Sequence, residues 1–186
     1  MAQNEKRERL IEAACRLIYQ QGVYRTTLAD IAQAAEVPLG NVYYHFRTKE
    51  SLISAVIATH KQQLQAKFAR WEQDPDPRQR LQSLLRSSLS HEDQLAQYGC
   101  PDGTLCQELV KENTPLAHEA ADLMNCYLSW VEQQFRLLGK DDEAEDLALS
   151  LISSLQGSYL LTNTMHSTAL LERRLEHLNL WLEQVA

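Results

Sequence analysis

Apolar residues recur along almost the whole chain at the three- and four-residue spacing of amphipathic helices. Between residues 4 and 21, Leu10, Ala14 and Ile18 fall on one face, and Gly22 follows as a helix-terminating residue. No stretch shows the strict alternation typical of a strand, and no internal repeat is visible. The pattern therefore predicts an all-α protein of roughly nine helices.

The remaining predicted helices are separated by prolines, glycines and capping residues. A sixth, short helix is predicted to begin at an N-cap, Thr104, after a compact loop over residues 99–103. The other predicted helices cover residues 28–35, 38–46, 48–71, 78–98, 115–138, 141–164 and 169–185.

The second and third helices are short and joined by a three-residue turn, which is typical of a helix-turn-helix. Thr27 and Asp30 form a capping-box pattern at the start of the second helix. In the third helix, Val42 and Phe46 have the spacing of inward residues. Gly40 lowers helix stability by roughly 1 kcal/mol relative to alanine, which suggests that its backbone closely approaches something bulky.

Composition and charge restrict the possible partners of the chain. Hydrophobic residues make up 44% of the sequence, as expected for a globular protein. The net charge is −7, but residues 1–50 carry +1 and the remainder carries −8. We therefore expect DNA to be tolerated only at the N-terminal end.

Targeting and membrane signals are not evident. No apolar run reaches the roughly 18 residues that a membrane-spanning helix needs. The polar first residues lead directly into a helical pattern without the features of a signal peptide, which predicts a cytoplasmic protein with no membrane partner.

The segment from Thr26 to Leu52, TTLADIAQAAEVPLGNVYYHFRTKESL, resembles the DNA-binding segment of the TetR family of transcriptional regulators. The resemblance implies a helix-turn-helix DNA-binding domain over residues 1–48 and a helical ligand-binding and dimerisation domain over residues 49–186. It also implies a homodimer with a four-helix interface. Such a dimer would repress transcription from a palindromic double-stranded operator and be released by a small-molecule effector; no cofactor is expected.

Candidate DNA contacts cluster around the two short helices. Hydroxyl, imidazole and ammonium groups suit phosphate contacts, and the start of the third helix suits base edges. The phosphate candidates are Thr27, Tyr43, Tyr44, His45 and Lys49, and the base-edge candidates are Leu39, Gly40 and Asn41. Alternative roles stay open: helix capping for Asn41, packing for His45, and an ion pair with a nearby glutamate for Lys49.

The helical body supplies candidates for an effector pocket and for a dimer interface. Its last two helices are apolar on more than one face, which favours a second packing partner beyond the chain's own core. The pocket candidates are Phe68, Cys106, Met124, Tyr127, Trp130 and Tyr159, each of which could equally be a core residue. The interface candidates are Ile152, Leu155, Leu175, Leu178 and Trp181.

Two other functions are considered. With Thr104 as N-cap, Cys106 would lie at the second helical position, where the helix dipole favours a thiolate, and Cys100 is near enough for a redox pair. We favour the alternative that both cysteines are small buried hydrophobes. A helical protein-interaction module without DNA binding is the other possibility. No catalytic motif or metal-ligand spacing supports an enzyme or a metal site.

Overall fold

The computed structural model describes residues 2–111 and 114–186, and over these residues the chain is helical without strands. This confirms the prediction of an all-α fold. The described residues form ten helices: α1 (Ala2–Gln21), α2 (Leu28–Ala34), α3 (Leu39–His45), α4 (Lys49–Trp71), α5 (Pro77–Leu89), α6 (Glu92–Tyr98), α7 (Pro101–Leu109), α8 (Pro115–Leu137), α9 (Ala144–Met165) and α10 (Thr168–Val185).

The described residues form two compact units. The first unit lies within Met1–Gln62 and Thr104–Leu123, and the second lies within Gln63–Gly103 and Met124–Ala186. Helices α4, α7 and α8 each contribute residues to both units. These units describe packing, whereas the boundary after residue 48 concerns function and stays a prediction.

The helix-turn-helix forms as the capping pattern predicts. The Thr27 hydroxyl accepts from the Asp30 amide at 3.1 Å, and the Thr27 amide donates to the Asp30 carboxylate at 2.9 Å. The turn before α3 contains a feature that the sequence does not signal: Glu36 has a φ of 53°, which is uncommon for a residue with a side chain. Arg9 of α1 donates to both the Glu36 carbonyl, at 3.4 Å, and its carboxylate, at 3.3 Å.

The core of the first unit is built from the predicted apolar faces. Leu10 of α1, Ile31 of α2 and Val42 of α3 are each buried to within 1% exposure. Phe46, which follows α3, is buried beside them. Because these side chains anchor α2 and α3 from within, the opposite faces of both short helices are left for the surface.

Two helix boundaries differ from the sequence prediction. The helix predicted over residues 78–98 is interrupted between α5 and α6, where side chains compete for backbone groups: the Ser87 hydroxyl donates to the Leu84 carbonyl at 2.7 Å. Helix α7 begins at Pro101, not after an N-cap at Thr104, because proline suits the first turn of a helix. Residues 101–103, predicted as loop, are therefore helical.

The second unit is organised around α9 and α10. Helix α9 packs against α6 and α10, and α10 also packs against α5 and α6. The core is formed by buried residues on one stripe of each of the two long helices; they are Leu151, Ile152, Leu155, Leu171, Leu175, Leu178 and Leu182. One apolar face of each helix is thereby buried within the chain, and another face remains exposed.

Candidate nucleic-acid interface and effector region

Helix α3 presents one face to the core and the other to the surface. Val42 is fully buried and Phe46 is 3% exposed, which confirms that both residues point inward. On the outer side, Tyr43 is 53% exposed and Tyr44 71% exposed. A seven-residue helix held by inward anchors thus offers its remaining side chains to a partner.

Leu39 and Gly40 are exposed at the start of α3, beside the half-buried Asn41. A Cβ atom built on Gly40 would meet no atom of the described chain within 4 Å. The packing of the described residues therefore does not require a glycine here. The backbone at Gly40 is exposed, so the missing side chain would allow a bound molecule to come close to it.

The aromatic and imidazole groups of α3 are arranged at its C-terminal end. The Tyr44 and His45 rings meet edge to face with centroids 5.2 Å apart. His45 is half-buried and Tyr44 is exposed, so His45 supports the tyrosine ring as well as reaching the surface.

The structure changes the expectation for Thr27. Its amide and its hydroxyl both donate to Asp30 Oδ2, at 2.9 and 2.7 Å, so neither donor points outward to a phosphate. The same hydroxyl hydrogen bond, followed by the amide hydrogen bond, lowers the pKa of Asp30 below its ordinary value. Thr27 is therefore first the cap of α2, and its donors are occupied within the capping box.

Lys49 has an internal partner that the sequence does not reveal. Its ammonium donates to the Val23 carbonyl, with Nζ and O 2.6 Å apart. An ammonium has three donors, so this bond leaves others for a phosphate, but it also fixes the side chain over the loop before α2.

An aromatic cluster occupies the second unit and includes three of the predicted pocket residues. Phe68 and Trp130 stack with centroids 4.5 Å apart and an interplanar angle of 3°. Tyr127 lies edge-on to Phe68 at 5.9 Å, and Trp71 lies 5.5 Å from Trp130. The Trp130 indole N–H donates to Glu72 at 2.8 Å, so the cluster also carries a polar edge.

A buried polar group lies next to this cluster. The Tyr127 hydroxyl donates to the Asp102 carboxylate at 2.7 Å, and Asp102 is 8% exposed. Burial, and then the charge of Asp102, raise the pKa of Tyr127. Tyr159 belongs to the same unit, where its hydroxyl and that of Ser88 are 2.6 Å apart, and burial raises its pKa as well.

Cys106, another of the predicted pocket residues, belongs to the first unit, and its part in an effector pocket stays a prediction. Its thiol is buried and donates to the Ala120 carbonyl at 3.1 Å. Because α7 begins at Pro101, Cys106 is not at the second helical position, and the dipole effect expected there does not apply. Met124 is half-buried in α8.

Cys100 does not complete a redox pair. Burial of its thiol, and then the neighbouring Asp102 carboxylate, raise its pKa to about 11. A thiol of this kind is almost entirely protonated near neutral pH and reacts slowly. The environments of both cysteines therefore oppose the thiol-switch alternative.

The choice of dimer-interface residues is also corrected. Ile152, Leu155, Leu175 and Leu178 are buried in the core of a single chain and offer no surface to a partner. Trp181 is half-buried, with its ring 6.1 Å from that of Phe135. The same two helices instead expose a second apolar set; it consists of Leu149, Leu160, Leu161, Met165 and Leu180.

Within the described part of the chain, no group of three or more histidine, cysteine, aspartate or glutamate side chains is placed to hold a metal ion. None of the described helices combines the length and the apolar character needed to cross a membrane.

A helix-turn-helix with an outward α3, followed by a helical second unit, is typical of helix-turn-helix DNA-binding regulators. Residues 10–56 match the family described as bacterial regulatory proteins, tetR family. Residues 77–177 match the C-terminal domain of LmrA/YxaF-like transcriptional regulators. The chain belongs to the TetR family of transcriptional regulators, whose members are regulators rather than enzymes.

The similarity to known proteins extends over most of the chain. The chain is 29% identical to the transcriptional regulator LmrA of Bacillus subtilis, over 92% of this chain and 94% of that protein. It is 28% identical to the transcriptional repressor DhaR of a Mycobacterium species, over 86% and 83% of the two chains. The fold matches the crystal structure of a TetR-family regulator from Streptomyces coelicolor with a TM-score of 0.84 and 20% identity, covering 98% and 96% of the chains.

Proposed function

We propose that this chain is a ligand-responsive transcriptional repressor that binds a palindromic operator as a homodimer and is released by a small-molecule effector. The proposal is supported above all by the two faces of α3. Val42 and Phe46 anchor this part of the chain in the core, and Leu39, Gly40 and Tyr43 are exposed. Residues 1–48 would bind DNA and residues 49–186 would bind the effector and the second subunit. Because its target is chromosomal DNA, the protein would act in the cytoplasm.

In this proposal, the N-terminal end of α3 reads base edges in the major groove. Asn41 would pair with a base edge, Leu39 would contact an apolar group such as a thymine methyl, and Gly40 would let the backbone approach. Phosphates would be contacted by Tyr43, Tyr44, His45 and the remaining donors of Lys49. Thr27 would contribute indirectly, by holding the start of α2 with its capping box.

The second subunit would pack on the outer faces of α9 and α10. Leu160 and Leu161 are 56% and 54% exposed, and Leu180 of α10 is 56% exposed. A Cβ atom at Gly157, between the exposed leucines of α9, would meet no described atom within 4 Å. Two such faces related by a two-fold axis would form the four-helix interface.

The effector would bind near the aromatic cluster of the second unit. Stacked Phe68 and Trp130 supply apolar surface, while Tyr127 and Asp102 supply oriented polar groups. To release DNA, the effector must bind the released conformation better than the DNA-bound one. Repression is the direction favoured by the similarity to a repressor over most of the chain.

The experiment that tests this proposal is in-vitro selection from a randomised DNA duplex library, combined with analytical ultracentrifugation of the free protein. We expect enrichment of an inverted repeat, with half-sites about one helical turn or a multiple apart, and a dimer in solution. Tyr44→Ala should lower retention of the selected duplex, whereas the matched control Gln94→Ala, at an exposed position of α6, should not. If no sequence is enriched at low salt, the helical interaction module without DNA binding becomes the better account.

A further inference from the structure

The loop between α1 and α2 is held at one residue by side chains from two distant helices. The Val23 amide donates to Glu108 Oε2 of α7, with N and O 2.8 Å apart. The Val23 carbonyl accepts from Lys49 Nζ of α4 at 2.6 Å. Val23 is only 2% exposed, so water does not readily replace either partner.

The conformation of Gly22 allows Glu108 to approach the loop closely. Its φ is 88°, and a Cβ atom built on it would lie 2.7 Å from Glu108 Oε1. The absence of a side chain therefore permits both the backbone conformation and the approach of the carboxylate. The Tyr24 hydroxyl adds a third contact by donating to the Glu108 carbonyl at 3.3 Å.

Hydrogen bonds connect this loop to the start of α2. Buried Thr26 donates to the Gly22 carbonyl at 2.7 Å and accepts from Gln21 at 3.2 Å. Thr27 then caps α2, which packs against α3. Because Thr26 is hydrogen-bonded to Gly22 and Gln21, which lie just before Val23, we expect a displacement of this loop to move the start of α2.

We propose that Glu108 is a positioning residue that couples helix α7 to the DNA-binding helices through the backbone of Val23. The proposal rests on the proposed ligand-responsive function, since α7 also carries Asp102, the hydrogen-bond partner of Tyr127 in the effector region. An effector that shifts α7 would loosen Glu108 from Val23 and change the placement of α2 and α3. The reciprocal effect must also occur: DNA binding stabilises the α7 contact.

The side chain of Glu108 allows its reach and its charge to be tested separately. Glu108→Gln keeps an acceptor oxygen at the same reach, whereas Glu108→Asp keeps the charge but withdraws the carboxylate by one methylene. Glu108→Ala removes the acceptor, and Gln107→Ala changes the exposed neighbour on the same helix. Affinity would be measured by fluorescence anisotropy with the duplex obtained by selection.

We expect the Ala and Asp variants of Glu108 to bind this duplex about tenfold more weakly, which is within the usual range of coupling between sites. The Gln variant should stay within about threefold of the wild type, because hydrogen bonding rather than charge positions the loop. Gln107→Ala should bind as the wild type does. Equal binding by all variants would overturn the proposal.

Hydrogen exchange distinguishes coupling from a general loss of stability. In the wild type, saturating duplex should slow exchange in the segment 104–111 as well as in 39–46. In Glu108→Asp, protection of 39–46 should persist and protection of 104–111 should be lost. If both segments remain protected, Glu108 is only a structural residue and the proposal is wrong.

Failure of the proposed function would be visible separately. If the wild-type protein selects no duplex, the DNA-binding proposal fails, and the Val23 amide is then followed by NMR in the free protein. Faster exchange of this amide in Glu108→Asp than in Glu108→Gln would support the role of Glu108 in holding the loop. Equal exchange in the two variants would overturn it.

Discussion

Replacing Gly40 with alanine should stabilise the protein while weakening its binding to DNA. Gly40 lies inside α3, and an added Cβ would meet no described atom within 4 Å, so alanine fits the free protein without strain. Alanine is favoured over glycine within a helix by about 1 kcal/mol, and somewhat less near a helix end. For a chain of this size, that corresponds to a melting temperature about 2–4 °C higher.

The same methyl group should interfere when the backbone of α3 approaches a DNA groove. If it displaces one base contact, the loss of about 1–3 kcal/mol corresponds to an affinity about 5- to 150-fold weaker. Circular dichroism would give the melting temperature, and anisotropy with the selected duplex would give the affinity at a fixed salt concentration.

The two readouts must move in opposite directions. Gln94→Ala, on the exposed surface of α6, serves as a control for substitutions that alter helix propensity away from α3. Wild-type affinity in the Gly40 variant would show that its backbone does not approach DNA closely. A lower melting temperature would refute the inference that the space around Gly40 is open.

Three further outcomes are expected. Leu161→Arg, on the exposed face of α9, should give a folded monomer that no longer binds the duplex, whereas Leu155→Arg should unfold the protein because Leu155 is only 2% exposed. Ultracentrifugation would report the oligomeric state, and circular dichroism would report folding. A dimeric Leu161→Arg variant would place the interface elsewhere. Cys100 should react slowly with iodoacetamide at pH 8 and much faster as the pH approaches its pKa of about 11, by mass spectrometry; rapid reaction at neutral pH would restore the thiol-switch alternative. The pKa of Asp30 is lowered from 3.8 in the folded state by its hydrogen bonds to Thr27. Its contribution to stability is therefore present above pH 3.8 and is lost as the pH falls through the lower folded-state pKa. Thr27→Ala should reduce this acid dependence in thermal melts recorded across that pH range.

The local features of the DNA-binding region could be predicted from the sequence because they depend on neighbours a few residues apart. Val42 and Phe46 are four residues apart on a short helix, and their burial follows from this spacing. The capping box of Thr27 and Asp30 likewise involves a separation of three residues. Short-range geometry of this kind is nearly independent of the rest of the fold.

Helix α7 shows where local signals mislead. Thr104 resembles an N-cap, and glycine at 103 resembles a loop residue, yet the helix already begins at Pro101. Gly103 is accommodated inside it, where an added Cβ would lie 2.6 Å from the Gln156 side chain. This close packing against a residue more than fifty positions away has no counterpart in the local pattern.

The apolar pattern of α9 and α10 predicts more than one apolar face on each helix, but it does not indicate which face belongs to the chain's own core. In the folded chain, Leu155 and Leu178 are buried and Leu160 is exposed. The helical period gives the relative directions of these side chains, whereas the packing of the helices selects the face that is buried. Packing likewise brings together Val23 and Glu108, which are separated by 85 residues and joined by a hydrogen bond. Such a contact depends on the path of the whole chain, because hydrogen-bond geometry is satisfied only when both backbones are already in place.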